Sequence, residues 1–364
     1  AVHPETGELH AVRRIGDVAV LDAPTVTTTL AYPAAESSLR ASFGGPRSPL
    51  YEALAQHRFG RHVVPSCAVG CPGQLHAKSP NCLDTAAIVT TAFPSGLNLS
   101  IVNIGCNDFG PSDPLFPAME ALATAGAAPT GACIDVDPER LDIARERLER
   151  WGFPQVQVIA AEATPQTIVP LLEPLPLPDV LKIDVDGMDC AILFAALQAL
   201  PRVPSIVILE VLAEIPPPWR FVRHFTAEWP HAHWRGAWIT ERLLPGCNLG
   251  YLVTELRHVG LFLYKYNHAD AVFVHESHLA RFTAADGTQF PVDELLCYLL
   301  GPIHTAMPLS YIRDWLGLGR EGSGPADVSQ ALGRIWGNVT EIQRAARAPG
   351  MPFGLMPPEI RWGS

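Results

Sequence analysis

Basic side chains are scarce in this chain: 26 lysines and arginines stand against 37 acids among 364 residues, a formal charge of −11. A field of that sign repels a phosphate backbone, and no Lys/Arg stripe with interleaved aromatics interrupts it, so no nucleic-acid partner is expected. Long apolar runs are missing too. None reaches the roughly 18 to 20 residues that cross a bilayer, so no membrane span is expected. Charged residues make up only 17% of the chain and hydrophobic ones 48%, which describes a compact globular chain rather than a disordered one. Cysteine is thin, with eight residues, too few for a disulfide scaffold. The chain shows neither an initiating methionine nor a signal-peptide pattern. A soluble protein is expected, with the cytoplasm ranked ahead of a secretory lumen and the oligomeric state left open.

What is abundant is proline, 35 residues, roughly twice the usual share of about 5%. Much of it lies in or near loops, as in Pro170, Pro174, Pro176, Pro178 and Pro216–Pro218, which predicts short elements with rigid connections. Cys67, Cys71, His76 and Cys82 cluster with a spacing close to a zinc knuckle, but each outer gap is one residue too long. Zinc, a local disulfide and free thiols all remain open there, and no metal is assigned to the chain. Two N-x-S/T sequons occur, at Asn98 and Asn338. With seven asparagines in the chain, chance alone supplies about one such match, so the sequons do not establish secretion.

The pattern divides the chain in three. Residues 1–95 form an N-terminal extension with weak periodicity and one short helix over Pro49–Phe59. Residues 96–282 alternate apolar runs with helical stretches, and residues 283–364 form a helical extension with a Pro/Gly-rich, irregular tail from Pro349. The apolar runs are Leu99–Ile104, Ala132–Val136, Gln155–Ala160, Val180–Val185, Ser205–Val211, Gly260–Tyr266 and Ala271–His275. Runs that are apolar almost throughout suit strands covered on both faces. Helices are predicted after Asp137-Pro138, over Met188–Leu200 and over Leu249–Val259 in the middle segment. Beyond it, Val292–Leu300 and Asp327–Ala346 are predicted helical. This alternation implies an α/β, Rossmann-like, doubly wound sheet of seven strands, mostly parallel. The last two strands are too close for a crossover, so they form a hairpin that puts one antiparallel strand at the end of the sheet.

Ligands of such sheets bind at the carboxyl ends of the strands. The first strand runs into Asn103-Ile-Gly105-Cys-Asn107-Asp108-Phe-Gly110, where two glycines let backbone approach a ligand. This is not the G-x-G-x-x-G of a dinucleotide site, because Asn107 replaces the second glycine. The second strand ends at Asp135, placed to accept hydrogen bonds from ribose hydroxyls, while Asp137 caps the next helix. Glu162 follows the third strand. The fourth gives Lys182-Ile-Asp184-Val-Asp186-Gly187-Met-Asp189, and the fifth ends in Glu210. Lys182 lies on the same side of its strand as Asp184, and in so apolar a run it needs Asp184 or Asp186 as a partner. Asp135, Asp184 and Glu210 therefore converge on one rim.

These segments, with a late Asp270-Ala-Val-Phe-Val strand, resemble the FkbM group of class I S-adenosylmethionine-dependent methyltransferases over residues 98–278. The most specific piece is Lys182–Asp189, similar to K-I-D-V-E-G-x-E with aspartate twice in place of glutamate. The resemblance implies S-adenosylmethionine as cofactor and a hydroxyl of a small molecule or carbohydrate as methyl acceptor. It implies that Gly105, Asn107 and Gly110 cradle the methionine part and ribose, that Asp135 holds the ribose, that Glu162 lies near adenine, and that Asp184 lies near the methyl. The family's acid before the glycine motif is Asn103 here, so the charge facing the cofactor's ammonium falls to another group such as Asp108.

A hydroxyl acceptor of high pKa needs a general base. Asp184, Asp186 and Glu210 are candidates, as are His231 and His233 in the aromatic-rich insertion after the fifth strand. That insertion either walls an acceptor pocket or is solvated surface. Two alternatives stay open. Asp184-Val-Asp186 and Asp135-Val-Asp137 each match the D-x-D of a metal-dependent glycosyltransferase, and Asn103 allows a methyltransferase fold that binds without catalysis.

Overall fold

The computed structural model describes residues 83–94, 98–212, 220–223, 246–267, 270–288, 290–292, 294, 297 and 353–356. In chain order the elements are α1 (Thr85–Ala92), β1 (Ser100–Ile104), α2 (Phe116–Thr124), β2 (Thr130–Asp135), α3 (Pro138–Trp151), β3 (Val156–Ala160) and α4 (Ile168–Leu172). They continue with β4 (Val180–Ile183), α5 (Asp189–Ala199), β5 (Ile206–Glu210), β6 (Arg220–Arg223), α6 (Leu249–Arg257), β7 (Leu261–Asn267), β8 (Asp270–His275), α7 (Leu279–Asp286) and β9 (Phe353–Met356).

Seven strands form one sheet in the order β3-β2-β1-β4-β5-β8-β7. The five from β3 to β5 are parallel, and β8 runs antiparallel to both neighbours. Each of the seven apolar runs is a strand; β1 and β4 are buried along their whole length, whereas in the edge strand β3 only Val156 is buried. The antiparallel strand does not lie at the end of the sheet. The hairpin folds back so that β8 enters between β5 and β7, and β7 becomes the edge.

Alternation along the strands splits the core between two faces. One face carries Val102, Ile104, Leu181, Ile183, Val207 and Leu209 against α4, α5 and α6. The other carries Ile101, Cys133, Val180, Ile206 and Ile208 against α1, α2, α3 and α7. This is the doubly wound arrangement. The glycine at 131 allows β2 to lie close to β1: a Cβ there would stand 2.0 Å from the Ile101 carbonyl oxygen.

α3 starts where its cap dictates. Asp137 Oδ1 accepts hydrogen bonds from the amides of Glu139 (3.0 Å) and Arg140 (3.3 Å), proline occupies the first turn, and Gly152 closes the helix at φ 79°. Its buried stripe is Leu141, Ala144 and Leu148.

Further expectations need correction. α1, α2, α4 and α7 have no counterpart in the sequence reading; in α1, five of eight residues (Thr85, Ile88, Val89, Thr90, Thr91) are β-branched and argue for extended chain. Burial of Ile88 and Val89 and the Asp84 cap override that weak preference. The tail beyond Pro349 contains β9, which pairs antiparallel with β6 from the insertion. A four-residue strand is too short to show a period. The cysteines, too sparse to frame the fold, are nevertheless paired: Cys106 with Cys133 and Cys190 with Cys247, in opposite faces of the core. Cys67, Cys71, His76 and Cys82, the helices expected over Pro49–Phe59 and Asp327–Ala346, and all but three residues of Val292–Leu300 lie outside the described residues. No helix among the described residues is long and apolar enough to cross a membrane.

Candidate functional site

Strand register builds the site before any side chain is considered. Ile104 stands opposite Ile134 and Ile183, Ile183 opposite Leu209, and Glu210 opposite Asp270. The next row at the carboxyl ends of the parallel strands therefore reads Asp135, Gly105, Asp184, Glu210 and, from the antiparallel β8, Asp270. Five adjacent strands bring four carboxylates and one glycine to a single rim. One row below, on the same face, lie Cys133, Asn103, Lys182, Ile208 and Val272.

The glycine turn is fastened to β2. Asp135 Oδ2 accepts a hydrogen bond from the Asn107 amide (2.7 Å) and Oδ1 one from the Asp137 amide (3.0 Å). Each oxygen keeps a lone pair for a ligand hydroxyl. Gly105, at φ 70°, lies so close to β4 that a Cβ would stand 1.7 Å from the Asp184 carbonyl oxygen. No other residue fits there. Asn107 and Phe109 also hold positive φ, 52° and 51°. The Asn107 side-chain oxygen accepts from the Asp108 amide (2.7 Å) and from Arg140. Asp108 Oδ1 accepts from the Gly110 amide (3.0 Å), and Arg147 donates to the Asp108 carbonyl (2.7 Å). At Gly110 a Cβ would stand 2.6 Å from Asp108 Oδ1. The turn is tied down before any ligand arrives.

Beneath it sits a buried cation. Lys182, 1% exposed, donates to the Gly105 carbonyl (2.9 Å) and pairs with Asp184 Oδ2 (3.0 Å) and Asp113 Oδ2 (3.3 Å). Burial alone would drive off its proton; the charges of Asp113 and Asp184 prevail and raise its pKa above that of an exposed lysine. Asp113 also accepts from Asn103 Nδ2 (2.8 Å) and the Leu115 amide (2.7 Å). Burial holds the Asp113 pKa above the usual carboxylate range. Asn103 thus lies wholly inside the protein, under the turn rather than at its surface.

Negative charge still exceeds positive at the rim. Desolvation, then the charges of Asp189, Asp184, Asp186 and Asp270, pushes Glu210 up to about 10, so it is a neutral hydrogen-bond donor at neutral pH. Asp270 is raised by burial and then by Asp184. Asp186, exposed and at φ 56°, is raised by partial desolvation and then by Asp184. Asp189, raised by burial to about 7, accepts from the amides of Val185 (2.7 Å) and Gly187 (2.8 Å) and shapes the turn that carries Asp186. One oxygen from each of Asp184, Asp186 and Glu210 lies within 4.8 Å of the others, a grouping with the donor chemistry of a hard-cation site.

The structure therefore gathers Gly105, Asn107, Asp108, Gly110, Asp135, Asp184, Asp186 and Glu210 at one rim. Glu162 follows β3 on the same edge and is exposed. His231 and His233 lie outside the described residues. Sequence reasoning missed Asp113, Lys182's buried partner, and Asp270, which opens its strand instead of closing it.

No family model matches the chain, and no curated protein matches it. Among solved structures it is similar to a precorrin-6Y C5,15-methyltransferase from Geobacter metallireducens GS-15 (18% identity over 41% of this chain and 74% of that one, TM-score 0.27). It is similar to an O-methyltransferase from Bacillus cereus in complex with SAH (17%, 49% and 73%, TM-score 0.28). A SAM-dependent methyltransferase from Aquifex aeolicus is similar as well (13%, 57% and 94%, TM-score 0.30). Scores of this size carry no weight for the chemistry, which rests on the rim itself.

Proposed function

We propose that this chain binds S-adenosylmethionine at the rim and transfers its methyl group to a hydroxyl of a small molecule or carbohydrate. The observation that carries the reading is the single row of Asp135, Gly105 and Asp184 at the carboxyl ends of three neighbouring strands, together with the sequence resemblance that covers the same residues. The residues fit the cofactor. The Gly105 turn is pinned against β4 and fastened to β2, and Asp135 retains acceptor capacity for two ribose hydroxyls. Glu162 stands at the adenine side of that row, while Asp108 supplies negative charge at the turn. The bound sulfonium supplies the electrophilic methyl.

The protein's part is alignment and proton management. With the cofactor bound, the chain's own groups would hold the acceptor hydroxyl in line with the methyl and take up its proton. Asp186 suits that role because it is exposed and its raised pKa makes it a stronger acceptor than an ordinary aspartate. Glu210, neutral, is placed to donate a hydrogen bond to the acceptor oxygen. Against a D-x-D glycosyltransferase at Asp184-Val-Asp186, the Asp184 carboxylate is already paired with the buried Lys182 (3.0 Å); at Asp135-Val-Asp137, Asp137 caps α3 and Asp135 fastens the turn.

The test is thermal. S-adenosylhomocysteine at 100 times its dissociation constant stabilises by about 2.7 kcal/mol, a shift of a few degrees in Tm, and Asp135→Ala abolishes that shift. The variant's ligand-free Tm also falls, because the Asn107 and Asp137 amides lose their acceptor, so the difference between liganded and free Tm is the readout. A shift given by Mn²⁺ with a nucleotide sugar, and none by S-adenosylhomocysteine, overturns the reading.

A further inference from the structure

The cysteines and one sequon carry a conclusion that methyl transfer does not use. All five described cysteines are disulfide-bonded: Cys106 to Cys133, Cys190 to Cys247, and Cys297 likewise bridged. The four in the first two bridges are at most 1% exposed. These are not accessible pairs poised for exchange. They are interior bonds in both faces of the sheet, one behind the Gly105 turn and one joining the start of α5 to the start of α6. Bonds of that kind persist where the surroundings are oxidising and are rare where thiol reductants are abundant.

In such a compartment a sequon is an acceptor. Asn98-Leu99-Ser100 ends where β1 begins, and Asn98 is exposed. It lies at the amino end of β1, whereas the rim lies at the carboxyl ends. The five residues of β1 separate them by about 17 Å at some 3.3 Å per residue, so a glycan on Asn98 leaves the rim open. We propose that this chain matures in an oxidising secretory lumen and carries an N-linked glycan on Asn98.

The fold also fixes when that happens. Ser100, whose hydroxyl defines the sequon, is 6% exposed, with its amide on Asp179 Oδ2 (3.0 Å) and its hydroxyl on the Pro176 carbonyl (3.3 Å). A transferase must reach the sequon before β1 joins the sheet. The bond formed is between Asn98 Nδ2 and C1 of the first sugar of a lipid-linked oligosaccharyl diphosphate; the C1–O bond breaks, the lipid diphosphate leaves and the amide nitrogen loses one proton. Each bridge forms by exchange with the disulfide of a thiol oxidoreductase, which takes up two electrons and two protons and departs as a dithiol. The second sequon, at Asn338, lies outside the described residues.

The experiment is peptide mapping of the full chain from its own source, alkylated first without reduction. Expected are unalkylated, linked peptides for Cys106/Cys133 and Cys190/Cys247, and an Asn98 peptide that appears only after peptide-N-glycosidase, with the asparagine converted to aspartate. In eukaryotic secretory expression, Asn98→Gln removes one glycosidase-sensitive step of electrophoretic mobility. Cysteines alkylated without reduction overturn the compartment. Asn98 recovered bare overturns the glycan even with both bridges intact. Neither result bears on binding of S-adenosylhomocysteine, so this proposal and the methyltransferase reading fail separately.

Discussion

Lys182 is the residue on which the rim's charge depends. Its ammonium satisfies a buried carboxylate, a second carboxylate at the rim and the carbonyl of the glycine turn at once. Removing one partner of a buried ion pair leaves the other uncompensated, typically at a cost of about 3–5 kcal/mol. Lys182→Met is expected to lower stability by that order in denaturant unfolding, and adding Asp113→Asn to it recovers part of the loss. No recovery in the double variant would mean that Asp113 is not what the lysine compensates. The contrast between Asp184 and Asp113 shows how far sequence carries at this scale. Asp184 is two residues from Lys182 on one strand and could be named as a partner by alternation alone. Asp113 is sixty-nine residues away, in a stretch without periodicity, and only the folded chain brings it there.

Among elements, the turn between β1 and α2 is the most exacting. Gly105 combines positive φ with a neighbouring carbonyl where a Cβ would be, whereas Gly152 has φ 79° and open space around it. Gly105→Ala is expected to weaken S-adenosylhomocysteine binding more than tenfold by calorimetry. Gly152→Ala costs only backbone strain, about 1–2 kcal/mol, and leaves affinity unchanged. Equal losses of affinity in both would show that the turn's position does not govern binding. The central strands were legible because burial on both faces leaves nearly continuous apolar runs, and Asp135 and Glu210 were legible because each closes such a run. Asp270 escaped the same rule for a directional reason: β8 runs the other way, so its acid at the rim is its first residue and not its last. α1 escaped because its β-branched sequence contradicts the helix that packing imposes.

For the whole molecule, the carboxyls that stay protonated tie stability to pH. The unfolded chain releases the Glu210 proton near 4.5 and the Asp189 proton near 3.8, while the folded chain keeps them to about 10 and about 7. Between those limits the native state binds more protons, so stability falls as pH rises, first through Asp189 and then through Glu210. Each such proton sets a slope of at most about 1.4 kcal/mol per pH unit. Tm is expected to drop from pH 5 to pH 9, and Glu210→Gln should flatten the part above pH 7. An unchanged slope in that variant would place the proton elsewhere.

The sheet order has a consequence for synthesis. β5 pairs on one side with β4, already made, but its other partner is β8, and Glu210 waits for Asp270, sixty positions later in the chain. Until the ribosome has delivered that hairpin, a strand apolar at all but its last residue has a bare hydrogen-bonding edge in the middle of the molecule, the kind of surface on which nascent chains aggregate. A polypeptide truncated before residue 270 keeps that edge permanently, so the final strand of the sheet acts as the closure that makes the rest of the translation product safe to release.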